Sequence, residues 1–117
     1  METPTINEIY LLKIGRHFRL YEQTKFVVGI NKDENEMIKA IALPGDILLE
    51  VKDYVGPVSI LRGNNAKAHV EFAASVTLRY SDAPKNQHGI VLVKNENSSE
   101  EISSESAEEQ LYIKFRM

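Results

Sequence analysis

The sequence predicts an α+β domain with a mainly antiparallel sheet and two helices packed on it, in the order β-β-β-α-β-β-α-β-β. Short apolar or alternating runs bounded by glycine and proline predict the strands, and two longer segments have apolar residues at helical spacing. Strands that are neighbours in this order can pair without long crossovers. The chain has 117 residues, and a single domain over 1–117 is expected.

Three strands are predicted before the first helix. Residues 9–14 form an apolar run, residues 17–21 alternate polar and apolar side chains after a turn at 15–16, and residues 25–28 are followed by Gly29. Because short turns join them, a β-meander is the simplest arrangement of these strands.

Two helices are predicted from caps and periodicity. Asn31 can cap the first helix by accepting a hydrogen bond from a free amide of the first turn, and Glu34 completes a capping-box pattern. A Pro-Gly pair at 44–45 ends this helix. The second helix is expected from about residue 66 to residue 80, where paired alanines favour close packing on a sheet.

Four further strands complete the predicted sheet. Residues 46–52 and 58–61 are expected to pair antiparallel through a turn that contains Gly56 and Pro57, and residues 89–93 and 111–115 form the last two strands. The segment 96–110 between them is rich in serine and glutamate and poor in apolar residues. Such a composition predicts a disordered acidic loop.

Charge is distributed unevenly along the chain. The formal net charge is −3, yet segment 96–110 alone holds six glutamates and no lysine or arginine. Without them, 11 acidic residues remain against 14 basic ones, a balance of +3 that permits a nucleic-acid partner but is weak support by itself. The acidic segment could compete with RNA as a phosphate mimic, although a solubilising insertion is the simpler interpretation.

No catalytic or metal site is predicted. The chain has no cysteine, which excludes disulfides, thiolate zinc sites and a cysteine nucleophile, and it has no P-loop, dinucleotide-binding or metalloprotease motif. The three histidines are widely spaced and are read as structural or surface residues. Asp46, Glu50 and Asp53 could form a carboxylate cluster, but strand-end and turn positions explain them more simply.

Composition also bears on the cellular setting. No apolar run approaches the roughly 20 residues that span a bilayer. The N-terminal residues lack the basic and apolar regions of a signal peptide. A cytoplasmic location and no membrane partner are therefore expected.

The segment from Val28 to Arg62 carries a family resemblance. It contains, in this order, V-G-x-N-x-x-x-N, an apolar helix, P-x-D-I, V-K-D-Y-x-G-P and I-L-R. This order is similar to that of the RNA-binding domain at the C-terminal end of NFACT proteins, which are ribosome-associated quality-control factors. The resemblance covers residues 25–95 and 111–116, and a later alanine-rich helix ends in Tyr-Ser as in that family. The matching positions are Gly29, Asn31, Asn35, Asp46, Lys52, Asp53 and Gly56.

Three departures from the family pattern resemble a divergent branch of the same domain. They are Ile30, Glu50 and Val58, which stand where the family has an arginine and two histidines. This branch is found at the C-terminus of PP-loop ATPases that resemble tRNA 2-thiouridylases, and residues 15–20 also look like it. The resemblance implies a non-catalytic domain that contacts RNA, with tRNA as the expected partner and no DNA. It further implies a PP-loop catalytic domain in the same polypeptide and ATP as that enzyme's cofactor, with none in this chain.

Candidate RNA-binding residues follow from charge and from the resemblance. Contacts with RNA phosphates need cations, and several arginine and lysine residues lie at predicted strand and helix ends. The alternative for each of them is a solvated side chain with no partner. Tyr54 could stack on an unpaired base or pack on its neighbours. The full set of candidates is Arg16, Arg19, Asn31, Asn35, Lys52, Asp53, Arg62 and Arg79.

Two other functions remain open from the residues alone. A protein-interaction or dimerisation module that docks the catalytic domain would present an apolar patch or an open sheet edge in place of a basic face. A small enzyme would need a cleft that gathers the carboxylates with a histidine.

Overall fold

The computed structural model of the protein describes residues 6–20, 24–63, 65–84, 88–108 and 112–116. Its centre is one six-stranded sheet in the order β1-β2-β4-β3-β5-β6, and every neighbouring pair runs antiparallel. The strands are β1 Arg16–Leu20, β2 Thr24–Val28, β3 Ile47–Val51, β4 Val58–Arg62, β5 His88–Lys94 and β6 Ser99–Glu105. The predicted α+β class is confirmed.

Helices cover both faces of the sheet. The α-helices among the described residues are α1 Ile6–Leu12, α2 Lys32–Ile41 and α3 Val70–Arg79, and the 3-10 helices are Ala66–His69 and Ile113–Phe115. Because side chains alternate along a strand, Phe26 and Val28 point to the face that carries α3, while Val27 points to the face that carries α1 and α2. No helix in the described part of the chain has the length and apolar character needed to cross a membrane.

The core forms as two clusters, one on each side of the sheet. On the α3 side, Ala73 and Ala74 are fully buried, and their small side chains let the helix pack closely over Phe26 and Leu49. On the other side, Ile38 of α2 is fully buried in a smaller cluster. Burying each large apolar side chain contributes about 1.5–3 kcal/mol, so both clusters hold the strands in register.

The capped helix and the strand pair agree with the sequence prediction. Asn31 caps α2, and its Oδ1 accepts a hydrogen bond from the Glu34 amide at 2.9 Å, while Glu34 Oε1 accepts from the Ile30 amide at 2.8 Å. Strands β3 and β4 pair antiparallel. The predicted second helix is present, but its first turn is the 3-10 helix Ala66–His69.

The first predicted strand is wrong, because residues 9–12 belong to α1. A short, mostly apolar run does not by itself distinguish a strand from a short helix. In α1 only Leu11 is fully buried, and the Asn7 side chain donates to the Ile41 carbonyl at the end of α2 at 2.7 Å. The second predicted strand is present as β1, and its predicted last residue, 21, lies outside the described residues.

The acidic segment differs from its prediction of disorder, since residues 99–105 form β6. A strand at a sheet edge needs few apolar side chains, and Ile102 supplies one by packing against the α3-side core beside Val91. The last predicted strand is also wrong over residues 113–115, which form a 3-10 helix, and residue 111 lies outside the described residues. Phe115 packs edge-on against Phe72 there, with ring centroids 5.4 Å apart.

Candidate nucleic-acid interface

A groove of about 400 Å³, here called the motif groove, lies at one end of the sheet. The start of β1, the end of β2 and the start of β4 meet at this end because these strands pair antiparallel in register. The groove runs between the first turn of α2, the turn that joins β3 to β4 and the end of α3. Its lining includes Arg16, residues 29–32, Asn35, residues 55–57, Tyr80 and Asp82.

Gly29 and Asn35 build one wall of the motif groove. Asn35 Oδ1 accepts a hydrogen bond from the buried Val58 amide at 3.1 Å, which ties α2 to β4. A Cβ atom at Gly29 would collide with Asn35 Oδ1, so a larger residue here would displace the Asn35 side chain from the Val58 amide. The predicted RNA-contact residues Asn31 and Asn35 therefore both have structural roles, as a helix cap and as a tie between elements.

The opposite wall is the turn at 52–57. The Asp82 amide donates to the Val55 carbonyl at 2.8 Å, and a Cβ atom at Gly56 would lie 2.7 Å from the Ser81 Cβ, so the turn packs tightly on the end of α3. Asp53 adopts a left-handed conformation, with φ 69°, that completes the turn. Tyr54 and Val55 are left exposed at 43% and 78%. These exposed side chains are available to a partner.

Arg16 and Tyr80 form a cation–aromatic pair inside the groove. The guanidinium carbon of Arg16 lies 4.7 Å from the Tyr80 ring centroid, and the ring of Tyr112 lies 5.7 Å from that of Tyr80. Burial raises the pKa of Tyr80, Tyr112 raises it further, and Arg16 and Arg116 oppose the rise. Tyr80 therefore stays neutral, and Arg16 presents a flat cation of the kind that contacts phosphates and stacks on bases.

Lys52 stands at the end of β3 and pairs with the acidic edge strand. Its Nζ lies 2.5 Å from Glu101 Oε1, and the two side chains are 45% and 47% exposed. The hydrogen bond from Lys52 to Glu101 and the charge of that carboxylate raise the pKa of Lys52. Lys52 is therefore a cation at neutral pH, but the carboxylate of β6 offsets its charge.

Arg62 is held inside the protein rather than at the groove. Its Nη2 lies 2.6 Å from Asp46 Oδ2, with side-chain exposures of only 14% and 6%, and its Nη1 donates to Asn7 Oδ1 at 2.7 Å. Arg19 lies on the opposite face of the sheet from Arg16 and pairs in register with Lys25 at the other end of β1. The structure thus separates Arg19 and Arg62 from the motif groove.

The remaining candidates lie near the groove. Arg16, Asn31 and Asn35 line it, and Lys52 and Asp53 belong to the turn that forms its wall. Arg79 is the last residue of α3, directly before Tyr80. Sequence reasoning did not select Lys32 and Tyr80, which line the groove, or Tyr112 and Arg116, which act on Tyr80. Tyr112 and Arg116 are distant in sequence, so only the packing of the chain's last turn against β1 brings them there.

The carboxylates that could have formed a catalytic cluster are each engaged elsewhere. Asp46 binds Arg62, Glu50 pairs with Lys39 at 2.9 Å and with Lys94 at 3.0 Å, and Asp53 lies in the turn. Across the described ranges, no group of three histidine, cysteine, aspartate or glutamate residues is placed to hold a metal ion.

Together, the fold and the groove define a small α+β domain. Its exposed turns, and the arginine that lies over the Tyr80 ring, are features that suit the binding of a ligand. The family model of the NFACT protein RNA binding domain matches residues 15–116, and the chain belongs to this family. RNA is therefore the partner class of this domain, which is non-catalytic.

A solved structure gives the same fold at low identity. The structure of the C-terminal of the fibronectin/fibrinogen-binding protein from Streptococcus suis matches with a TM-score of 0.69 and 14% sequence identity over 89% of this chain. The chain spans 49% of the length of that structure. No curated protein matches the chain.

Proposed function

We propose that this domain binds structured tRNA through the motif groove. The observation that carries the proposal is the Arg16–Tyr80 pair, which lies in the groove that is lined by the family's glycine and asparagine positions. Lys32 adds a second cation to the lining, and the exposed ring of Tyr54 lies on the adjoining turn. Cations that contact phosphates and a ring that stacks on an unpaired base are the usual elements of RNA recognition.

We also propose that the domain acts within or beside a PP-loop enzyme that modifies tRNA. The resemblance of residues 15–20, together with the departures at Ile30, Glu50 and Val58, supports this setting. In this proposal, ATP binds to the PP-loop domain and not to the chain described above. The proposal places the protein in the cytoplasm, where it would meet mature tRNA.

Binding is tested by fluorescence anisotropy with labelled tRNA at low and high salt. We expect weak binding that decreases as salt rises, because phosphate contacts release counterions. Arg16→Ala should weaken binding and reduce the slope of log affinity against log salt by about 1. The matched control is Arg19→Ala, which removes an exposed arginine of the same strand on the other face. A folded protein that binds no tRNA at low salt would refute the function, and an equal loss in both variants would refute the location.

A second candidate function is docking of a protein domain on α1. This helix exposes apolar side chains, with Ile6 at 72%, Leu12 at 53% and Tyr10 at 49%. Exposed apolar clusters of this kind often mark protein contacts. Sedimentation tests the case in which the docked domain is a second copy of this chain, because a self-association that Ile6→Ser and Leu12→Ser abolish, without a change in tRNA affinity, would favour docking on α1.

A further inference from the structure

A larger groove, of about 930 Å³, lies on the other side of the domain and is here called the ribbon groove. It runs between β6 on one side and the 3-10 helix Ala66–His69 with α3 on the other. It shares no lining residue with the motif groove. Its apolar lining is supplied by Ile47, Val70, Val93, Ile102 and Ala107.

The β6 strand beside this groove is an open edge of the sheet. All seven of its residues pair with β5, from His88↔Glu105 to Lys94↔Ser99. Within the described ranges no strand lies on its other side. Alternate N–H and C=O groups of an edge strand point away from the sheet, and they form a template for a further strand.

The charge of this edge selects the kind of strand that can add to it. Glu100 and Glu105 line the ribbon groove together with Glu71, and Lys67 is its one lysine among the lining residues. A second copy of β6 would bring three more glutamates to an edge strand that already carries three, which disfavours pairing. RNA would meet the same carboxylates with its phosphates, so an edge of this charge favours a basic polypeptide.

Ser106, at the end of β6, adds a polar group that lacks a partner. Its Oγ is buried and makes no hydrogen bond with any described residue, and Ser106 lines the ribbon groove. Buried hydroxyls are usually hydrogen-bonded, so this group would gain from a ligand that approaches the end of the strand.

We propose that β6 and the ribbon groove bind an extended segment of a partner protein in which basic residues alternate with apolar ones. The segment adds to the sheet as a strand beside β6. Its apolar side chains then enter the groove towards Val70 and Ile102, and its cations, which alternate with them, lie on the other face of the sheet beside Glu105. Strand addition of this type derives affinity from main-chain hydrogen bonds and specificity from alternate side chains.

The test uses a fluorescent peptide of alternating lysine and valine, matched in length to the seven residues of β6. Anisotropy measures its affinity, and backbone amide NMR shifts of the full chain map its location. We expect binding at low salt, with shifts in β6 and α3 but not around Arg16. Replacing Glu105 by lysine should weaken binding about threefold, because the cations of the added strand lie on that face of β6. The control Glu36→Gln, on an exposed position of α2, should leave the affinity unchanged.

Two further peptides separate strand addition from charge alone. A peptide with the same side chains but N-methylated on alternate amides keeps its charge and loses the ability to pair as a strand, so it should bind much more weakly. A glutamate–valine peptide should not bind.

Three results of these experiments would each overturn the proposal. They are equal binding of the N-methylated peptide, shifts confined to the motif groove, and no binding by the folded protein. So would a dimer formed through β6, or tRNA that competes with the peptide for the ribbon groove. None of these results depends on whether tRNA binds at the motif groove.

Discussion

The two ends of the β3–β4 hairpin each carry a basic residue paired with a carboxylate, but the two pairs differ in burial. At the open end, Arg62 and Asp46 are 14% and 6% exposed and 2.6 Å apart. At the turn end, Lys52 and Glu101 are 45% and 47% exposed and 2.5 Å apart. The distances are nearly equal, so distance does not distinguish a pair that stabilises the fold from one that can exchange its partner. The difference in burial does distinguish them.

Burial decides what each pair contributes. Removing one partner of a buried pair leaves an uncompensated charge in the interior and costs about 3–5 kcal/mol. An exposed pair contributes about 0–1 kcal/mol, because water and salt screen it. Arg62 is therefore committed to the fold, whereas Lys52 can exchange its carboxylate for an RNA phosphate at little cost.

The largest effect is expected for Asp46→Ala. This variant should lower the free energy of unfolding by about 3 kcal/mol or more, because it leaves the Arg62 charge buried without its partner. It also removes the acceptor of the Leu43 amide, which Asp46 Oδ2 binds at 2.8 Å. Urea unfolding measures the change, and Glu101→Ala is the matched control at the turn end, where a much smaller loss is expected because water and salt screen the exposed pair. Equal losses of stability in both variants would show that burial does not distinguish the two ion pairs.

The next effect concerns the wall of the motif groove. Gly29→Ala should destabilise the protein by about 1–3 kcal/mol, because the new Cβ displaces the Asn35 side chain and leaves the buried Val58 amide unpaired. A double-mutant cycle checks the cause. If Asn35 transmits the effect, Gly29→Ala should cost little in an Asn35→Ala background. Additive losses would show that the glycine acts by another route.

The parts of the fold that could be predicted from the sequence are those with local signals. The Asn31 cap, the Pro-Gly stop and the period-2 strands each leave a pattern within a few residues, and these elements are confirmed. The predictions are wrong where contacts with other elements of the fold determine the conformation of a segment. Residues 9–12 form a helix that packs against α2, and residues 99–105 form a strand because β5 offers an edge with room for Ile102.

The candidate site was predictable only in part, for the same reason. The glycine and asparagine positions of the family pattern do meet at one groove, and Arg16 joins them. Sequence alone could not separate Arg62 from Lys52, since both follow apolar strand residues. It also gave no signal for Tyr112, which reaches Tyr80 only through long-range packing.

A smaller effect is expected at the turn end, and it rests on the proposed tRNA binding. Glu101→Gln should strengthen tRNA binding a few-fold and increase the salt slope by about 1, because Lys52 is released to contact a phosphate. Anisotropy titrations over a salt series measure both quantities. In a Lys52→Ala background, Glu101→Gln should change the slope little. If tRNA binds but Glu101→Gln leaves the affinity unchanged in the otherwise native chain, Lys52 is not an RNA contact.

The smallest effect lies between the two ends, at Glu50 in the middle of β3. Burial alone would raise the pKa of Glu50, but hydrogen bonds and charge from Lys39 and Lys94 outweigh it and lower the pKa below its usual 4.5. A carboxylate with a lowered pKa in the folded state adds stability above its unfolded pKa, and this stability is lost as pH falls through the folded value. Glu50→Gln should therefore cost about 0.5–1 kcal/mol at pH about 7, since both lysines are about half exposed and partly screened, and almost nothing at pH about 3. Urea unfolding of both proteins at the two pH values measures this difference, with Glu36→Gln as the control for an exposed glutamate. A cost that is the same at both pH values would mean that Glu50 stabilises β3 by packing, and that its ion pairs contribute as little as the one at the turn.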